Sequence, residues 1–324
     1  MIRHHRAIAG NLLRLVILLL SIVGTLEATE AAAAAPDYGQ PFWSRWGDGK
    51  ADVDAYEIVT PRYGALRTGT AVLIMVTETF AQRERVKSDP GRRTASEEFP
   101  VIKLNRVEDF PTGIYDYNLM TSAFVALAPV GGREAGLPTK ISFSAQEWCG
   151  HAYSQALFDA DAVRLTSHSY FDGEADESLR LPGAALFSED SLPLWARGLA
   201  APLVSAGKPG TVSMLASLKV GRLGHQDPVV LTATLSEEKG TRSITVPGGS
   251  MTVRTRTVQL SDGRSWTFEI DAEAPHRLVR WTGSNGEVGR WLGGDRLAYW
   301  QMNGPGNEAA LSRLGLTSRP PRTP

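Results

Sequence analysis

KISFSAQEWCGHAYSQALFDADAVRLTSHSYFDGEAD, residues 140–176, decides how the chain is read. Apolar and polar residues alternate through Lys140–Phe158 and again through Val163–Phe171, a period of two that extended backbone turns into two distinct faces. DADA at 159–162 suits a hairpin connection between them. Closing it with Phe158 opposite Val163 sets Tyr153 against His168, His151 against Tyr170, Cys149 against Asp172 and Glu147 against Glu174. One hairpin face then presents all eight side chains, with directly opposed β-carbons about 5 Å apart. A connection of different parity would send His168 and Asp172 to the other side.

The same alternation recurs along the chain. In GRSWTFEIDAEAP, residues 263–275, Trp266, Phe268 and Ile270 face one way and Thr267, Glu269 and Asp271 the other, the pattern of a half-buried antiparallel strand. Similar runs cover 54–60, 70–80, 100–107, 115–128, 211–220, 229–235, 251–260 and 277–281. TAVLIMV at 70–76 is apolar on both faces and belongs near the centre of a sheet. Short connections such as EKGT, PGGS, SDGR and SNGE imply up-and-down neighbours. Helical signals are few: 190–204, with Pro193 in a first turn, and 307–314, closed by Gly315. The expectation is a mainly β protein, a large curved antiparallel sheet or open half-barrel, as one sheet or two β subdomains, with one or two short helices. Its divisions are an N-terminal β region at 36–183, a helical connection at 184–209, a C-terminal β region at 210–316 and a disordered tail at 317–324.

The first residues carry Arg3, Arg6 and Arg14, an apolar run from Leu15 to Val23 and then an alanine-rich stretch. That order is a secretory signal peptide over 1–35, cleaved within Ala31–Ala35. Its apolar run is too short for a permanent membrane helix, so the mature chain is expected to be periplasmic or secreted, without a transmembrane segment. About 290 residues then remain, enough to bury a substantial core. With 34 basic and 35 acidic residues, nothing marks a nucleic-acid surface. The single cysteine leaves no internal disulfide.

Three chemistries compete for the Cys149 face. A nucleophilic cysteine needs a base within hydrogen-bond reach, yet strand neighbours two apart have α-carbons about 6.5 Å from each other. Zinc would find suitable ligand types in Cys149, His151, His168 and Asp172, without a spacing that demands it. A plain polar sheet face, with Glu147 hydrogen-bonded to a tyrosine or histidine, asks for least. Asp48, Asp52 and Asp54 around a glycine turn offer oxygen ligands of the kind calcium takes, in a spacing that also suits an ordinary turn. FDGEADE at 171–177 reads as a solvated acidic loop, and no phosphate loop, nucleophile elbow or HExxH is present. No cofactor is implied. The eight tryptophans are plentiful and should pack the covered face of the sheet, leaving a ligand groove wherever that face is open.

The blocks FWSRWGDGKAD (42–52), SAQEWCGH (144–151), SHSYFDGEAD (167–176), GRSWTFEIDAEAPHRLVRW (263–281) and LAYWQMNGPG (297–306) resemble a family of uncharacterised secreted bacterial proteins. Some of its members carry the name septum formation inhibitor Maf, which belongs to cytosolic α/β nucleotide pyrophosphatases; the Ser/Arg phosphate-binding strand and loop of that class have no counterpart in this β sequence. From about Gly210 the chain is similar to a domain of unknown function shaped like periplasmic lipoprotein carriers, a curved antiparallel sheet with a helix across its open side. The resemblance implies apolar ligand binding or an envelope scaffold role, and transfers no catalytic residue. The expected function is therefore a non-enzymatic envelope protein that binds an apolar or amphipathic ligand, or an envelope partner, on a Trp-rich sheet face. The alternatives are a Cys/His or metal-dependent hydrolase using the Cys149 hairpin, and a structural envelope protein.

Overall fold

The computed structural model describes residues 34–183 and 186–317. The signal peptide expected over 1–35 therefore lies outside the described residues except for Ala34 and Ala35, as does the expected tail from 318 onward. Sixteen strands form one sheet: β1 (Ala51–Arg62), β2 (Ala65–Ala81), β3 (Glu98–Thr112), β4 (Tyr115–Ala126), β5 (Pro138–Glu147), β6 (Gly150–Phe158), β7 (Ala162–Ser169), β8 (Asp176–Pro182), β9 (Phe187–Ser188), β10 (Gly210–Leu215), β11 (Val230–Glu237), β12 (Arg242–Val246), β13 (Gly249–Leu260), β14 (Ser265–Asp271), β15 (Leu278–Gly283) and β16 (Val288–Leu297). Their spatial order is β8-β7-β6-β5-β4-β3-β2-β1-β16-β15-β14-β13-β11-β10-β9, with β12 paired to β13. Antiparallel neighbours dominate, because short loops join consecutive strands; only β9 and β10 run parallel. The sheet is not closed into a barrel, and β2, the apolar 70–76 run, lies near its middle.

In the second half of the sheet, two indoles lie against glycines of the facing strand. Trp281 of β15 lies across from Gly289 of β16, and Trp266 of β14 across from Gly283 of β15. A β-carbon at Gly289 would sit 2.2 Å from the Trp281 ring, and one at Gly283 2.7 Å from that of Trp266. Glycine at each position leaves the room that the facing indole occupies. Bulges between Ala55 and Tyr56, Phe124 and Val125, and Glu269 and Ile270 add local bends.

The concave face is filled from within. Residues 186–201, containing α2 (Leu192–Ala196), lie against it, and Trp195 is wholly buried, its Nε1 donating to the Pro202 carbonyl at 2.9 Å. One apolar cluster takes Tyr56, Leu73 and Leu104 from one half, Trp195 and Leu199 from the insert, and Phe268 and Trp281 from the other half. Arg197, just past α2, reaches Asp52 of β1 at 2.8 Å and Met75 Sδ of β2 at 3.1 Å. Trp46, Trp195, Trp266, Trp281 and Trp291 are all buried in this core, so five of the eight tryptophans pack the covered face as expected.

Other expectations are corrected in detail. The helix expected at 190–204 is confined to α2, preceded by a 3-10 turn at Glu189–Ser191. The strand expected through 211–220 ends at Leu215 and gives way to α3 (Leu218–Gly224), capped by the Ser217 hydroxyl, which accepts from Val220 N–H. A further helix, α1 (Gln40–Trp46), precedes β1, and Asn307–Leu314 is a 3-10 helix. That helix covers the outer face of β1 and β16, with Leu314 beside Ala51, Val53 and Ala55. Among the described residues no helix is long and apolar enough to cross a membrane.

Candidate functional site

Up-and-down topology sends every second turn to the same end of a sheet, so the β1–β2, β3–β4, β5–β6 and β7–β8 turns share one rim. Turn residues are ordinarily polar, yet these tips expose Tyr63 at 56%, Ile114 at 85%, Trp148 at 73% and Tyr170 at 72%. Tyr63 holds a left-handed backbone, φ 53°, ahead of Gly64 at φ 70°. A bulky residue there is strained, a condition that clusters at functional sites.

The rim side chains touch in sequence. Arg62 stacks on the Tyr63 and Tyr117 rings at 4.2 and 5.0 Å and donates to the Tyr117 hydroxyl at 2.8 Å. Tyr117 meets Tyr115 at 6.0 Å between centroids, and Tyr115 meets Trp148 at 6.1 Å. Tyr170 lies over Gly150, where a β-carbon would come within 2.5 Å of its ring. Phe171 follows, under the Arg222 guanidinium at 4.1 Å. Arg222 pairs with Glu174 at 3.1 Å, and His225 also contacts that carboxylate. Arg62 closes the circuit by donating to the Leu223 carbonyl at 2.8 Å, which fastens the β1–β2 tip to α3.

Between that tip, α3 and the β15–β16 turn opens a cleft of about 300 Å³, bounded by Arg62, Tyr63, Leu223, Lys219, Asn285 and Glu287. Its floor is a buried charge network. Lys219 Nζ lies 2.8 Å from Glu108 and 3.1 Å from Glu287, while Arg106 lies 2.7 Å from Glu108 and also pairs with Glu287. Two cations thus meet two carboxylates. Burial would raise the Glu287 pKa, but Lys219 and Arg106 override it and hold the carboxyl at about 2. Deeper in, a cavity of about 40 Å³ lies beside Arg106, Thr121 and Asp190, room for about three waters. Burial pushes Asp190 up to about 6 although Ser217 and the Leu218 amide hydrogen-bond to it. Arg106 Nε, Glu108 Oε2 and Thr121 Oγ1 in the interior, and Arg62 Nε, Glu147 Oε2 and Arg222 Nε at the rim, are buried polar atoms without a hydrogen-bond partner among the described residues. Polar capacity left open concentrates along this axis, from mouth to interior.

The hairpin read from sequence is present in part. Phe158 faces Val163 and Tyr153 faces His168 as the spacing implies. The strand does not run unbroken through Cys149, however: a two-residue turn pairs Glu147 with Gly150 and starts β6. This turn inverts the parity, so Glu147 continues the inward series of Ile141, Phe143 and Ala145, whereas His151 and Tyr153 point outward. Cys149 is exposed at the tip, and the ladder between β6 and β7 stops at Ala152–Ser169, before any pairing with Asp172. His168 instead meets Asp176 at 2.7 Å, Tyr153 donates to Gln155 at 3.2 Å, Asp172 is exposed, and Glu174 belongs to the rim. Glu147 is half-buried. Tyr170 is the remaining candidate that the rim absorbs.

Asp48, Asp52 and Asp54 are engaged by guanidinium groups rather than arranged around a shared open centre. Arg296 holds Asp48 at 2.6 Å and Asp52 at 2.7 Å. Arg45 and Arg197 also hold Asp52, and Arg277 with Trp291 Nε1 holds Asp54 at 2.8 and 2.9 Å. Among the described residues no group of three or more His, Cys, Asp or Glu is disposed to hold a metal ion.

Arg62, Tyr63, Tyr117 and Trp148 were not singled out in the sequence. The available signal was an aromatic at successive turns, in PRYG, TGIY and EWCG. The chain matches no protein-family model, no curated protein and no solved structure.

Proposed function

We propose that the protein is an exported, non-enzymatic binding protein of a cell envelope, which takes an amphipathic ligand at the aromatic rim rather than on the sheet face. The observation that carries this reading is the cleft of about 300 Å³ bounded by Arg62, Tyr63 and Leu223, at the rim where Trp148 and Tyr170 are also exposed. Large aromatics exposed together mark recognition surfaces, and the volume sits at the lower end of the roughly 300–1,000 Å³ of small-molecule sites. That size suits a compact amphiphile better than a whole two-chain lipid. Charged side chains bordering the cleft supply polar partners for one end of the ligand, and Tyr63 and Leu223 supply apolar surface for the other. Export rests on the leader-like first residues, and the envelope setting on the family resemblance.

Native mass spectrometry of the protein purified from its own envelope tests the reading. A co-purified small amphiphile, lost from a Tyr63→Ala/Trp148→Ala double variant that still folds, is the expected result. A ligand-free protein, or a ligand retained by that variant, refutes it.

A further inference from the structure

The cleft holds one charge that its own residues leave unmatched. Lys219 and Arg106 are balanced by Glu108 and Glu287. Arg222 on the rim is balanced by Glu174. Arg62 forms no ion pair with a carboxylate among the described residues: its partners are the Leu223 carbonyl and the hydroxyls of Tyr117 and Tyr63, at 2.8, 2.8 and 3.3 Å. Its Nε has no partner although it is shielded from water. Glu147, at the β5–β6 tip two turns along the rim, forms no ion pair with Arg62.

Two further features fix the guanidinium in place. Stacking between the Tyr63 and Tyr117 rings sets its plane, and the left-handed backbone at Tyr63 holds the first of those rings. A planar guanidinium with its orientation set, bordering the cleft and without a counter-ion, is the arrangement that receives an oxyanion.

We propose that Arg62 anchors an anionic head group, a carboxylate or a phosphate, so that the ligand of the cleft is an acidic amphiphile whose apolar part lies against Tyr63 and Leu223. This identification rests on the mouth being the binding site, as argued above, and adds the charge of the ligand. Lys219, already shared between two carboxylates, contributes little net attraction, so the preference for an acid depends on Arg62.

Isothermal titration of the full chain with decanoate, decyl phosphate, decanol and inorganic phosphate tests it. Decanoate or decyl phosphate should bind about tenfold or more tightly than decanol, the scale of one charge-assisted hydrogen-bonded contact, and more weakly as salt rises. Whichever acid binds better identifies the head group. Arg62→Met should abolish the preference for the acid, read as the ratio of acid to decanol affinity within the same variant, and Arg62→Lys should keep part of it; thermal melting confirms that both variants fold. Decanol binding as tightly as both acids, or an undiminished preference in Arg62→Met, overturns the anchor while the mouth remains the binding site. Inorganic phosphate binding as tightly as decyl phosphate overturns the amphiphile. Binding of neither acid overturns the proposal, and recovery of a neutral or cationic amphiphile from the envelope-purified protein would show that the anchor alone has failed.

Discussion

Arg197 Nη2 lies 2.8 Å from Asp52 Oδ2, with both side chains buried, and so pins the segment that fills the concave face to the first strand of the sheet. The same guanidinium donates to the carbonyls of Pro275 and His276, each at 3.1 Å. It therefore joins β1, the filling segment and the loop before β15.

Replacing Arg197 by Met should destabilise the fold by about 3 kcal/mol, because one partner of a buried pair is left behind and carbonyl acceptors lose their donor. Arg45 and Arg296 still attend Asp52 and limit the loss. Urea denaturation measures it, and an unchanged midpoint would show that the contact holds nothing in place.

Stability should fall at both ends of the mildly acidic range. Asp190, pushed up to about 6 by burial, binds its proton more tightly when folded. Its contribution is complete below the unfolded value of about 4 and is lost as the pH climbs through 6, on the order of 2 kcal/mol. Asp52 and Glu287 behave oppositely. Burial would raise both, but Arg197 in one case and Lys219 in the other bring them to about 2. Their contribution is present above about 4 and vanishes as the pH falls toward 2. Melting temperatures recorded from pH 3 to 7 should pass through a maximum, and Asp190→Asn should flatten the decline on the neutral side.

Gly289→Ala should cost about 1–3 kcal/mol, since the new methyl would occupy space held by the Trp281 indole, 2.2 Å away. The displaced ring would also lose its hydrogen bond to Glu287, made at 3.2 Å. Quenching and wavelength of the tryptophan emission, followed with the melting temperature, report both effects; an alanine variant with native emission would disprove the role assigned to this glycine.

Cys149→Ser and Trp148→Ala should separate stability from recognition. Both residues are exposed at a hairpin tip, so each change should shift stability by no more than about 0.5 kcal/mol. Only Trp148→Ala should weaken capture of the amphiphile, because its ring continues the aromatic rim through Tyr115. Equal loss in both variants would point to the thiol instead.

The tips also mark where sequence periodicity stops being informative. In 140–158 the alternation identifies extended backbone and, across 158–163, the register of the next hairpin, because both depend on neighbours close in the chain. It does not register the reversal at Trp148 and Cys149: a two-residue turn changes which parity faces inward without changing composition. Four strands, β8, β9, β12 and β16, escaped the pattern. β8 is exposed along almost its whole length, β9 has two residues, and β16 carries Gly289, Gly293 and Gly294 where apolar side chains would have announced it.

Alternation and short turns by themselves determined a mainly antiparallel β protein with its apolar run at 70–76 near the middle, since those signals act between residues adjacent in sequence or across one hairpin. Tertiary structure alone decided what occupies the concave face and which charges remain unpaired. Trp195 reaches Phe268, Arg62 reaches Leu223 and Lys219 reaches Glu108 only after the sheet has curved. Contacts between residues so distant in sequence leave no periodic trace in it.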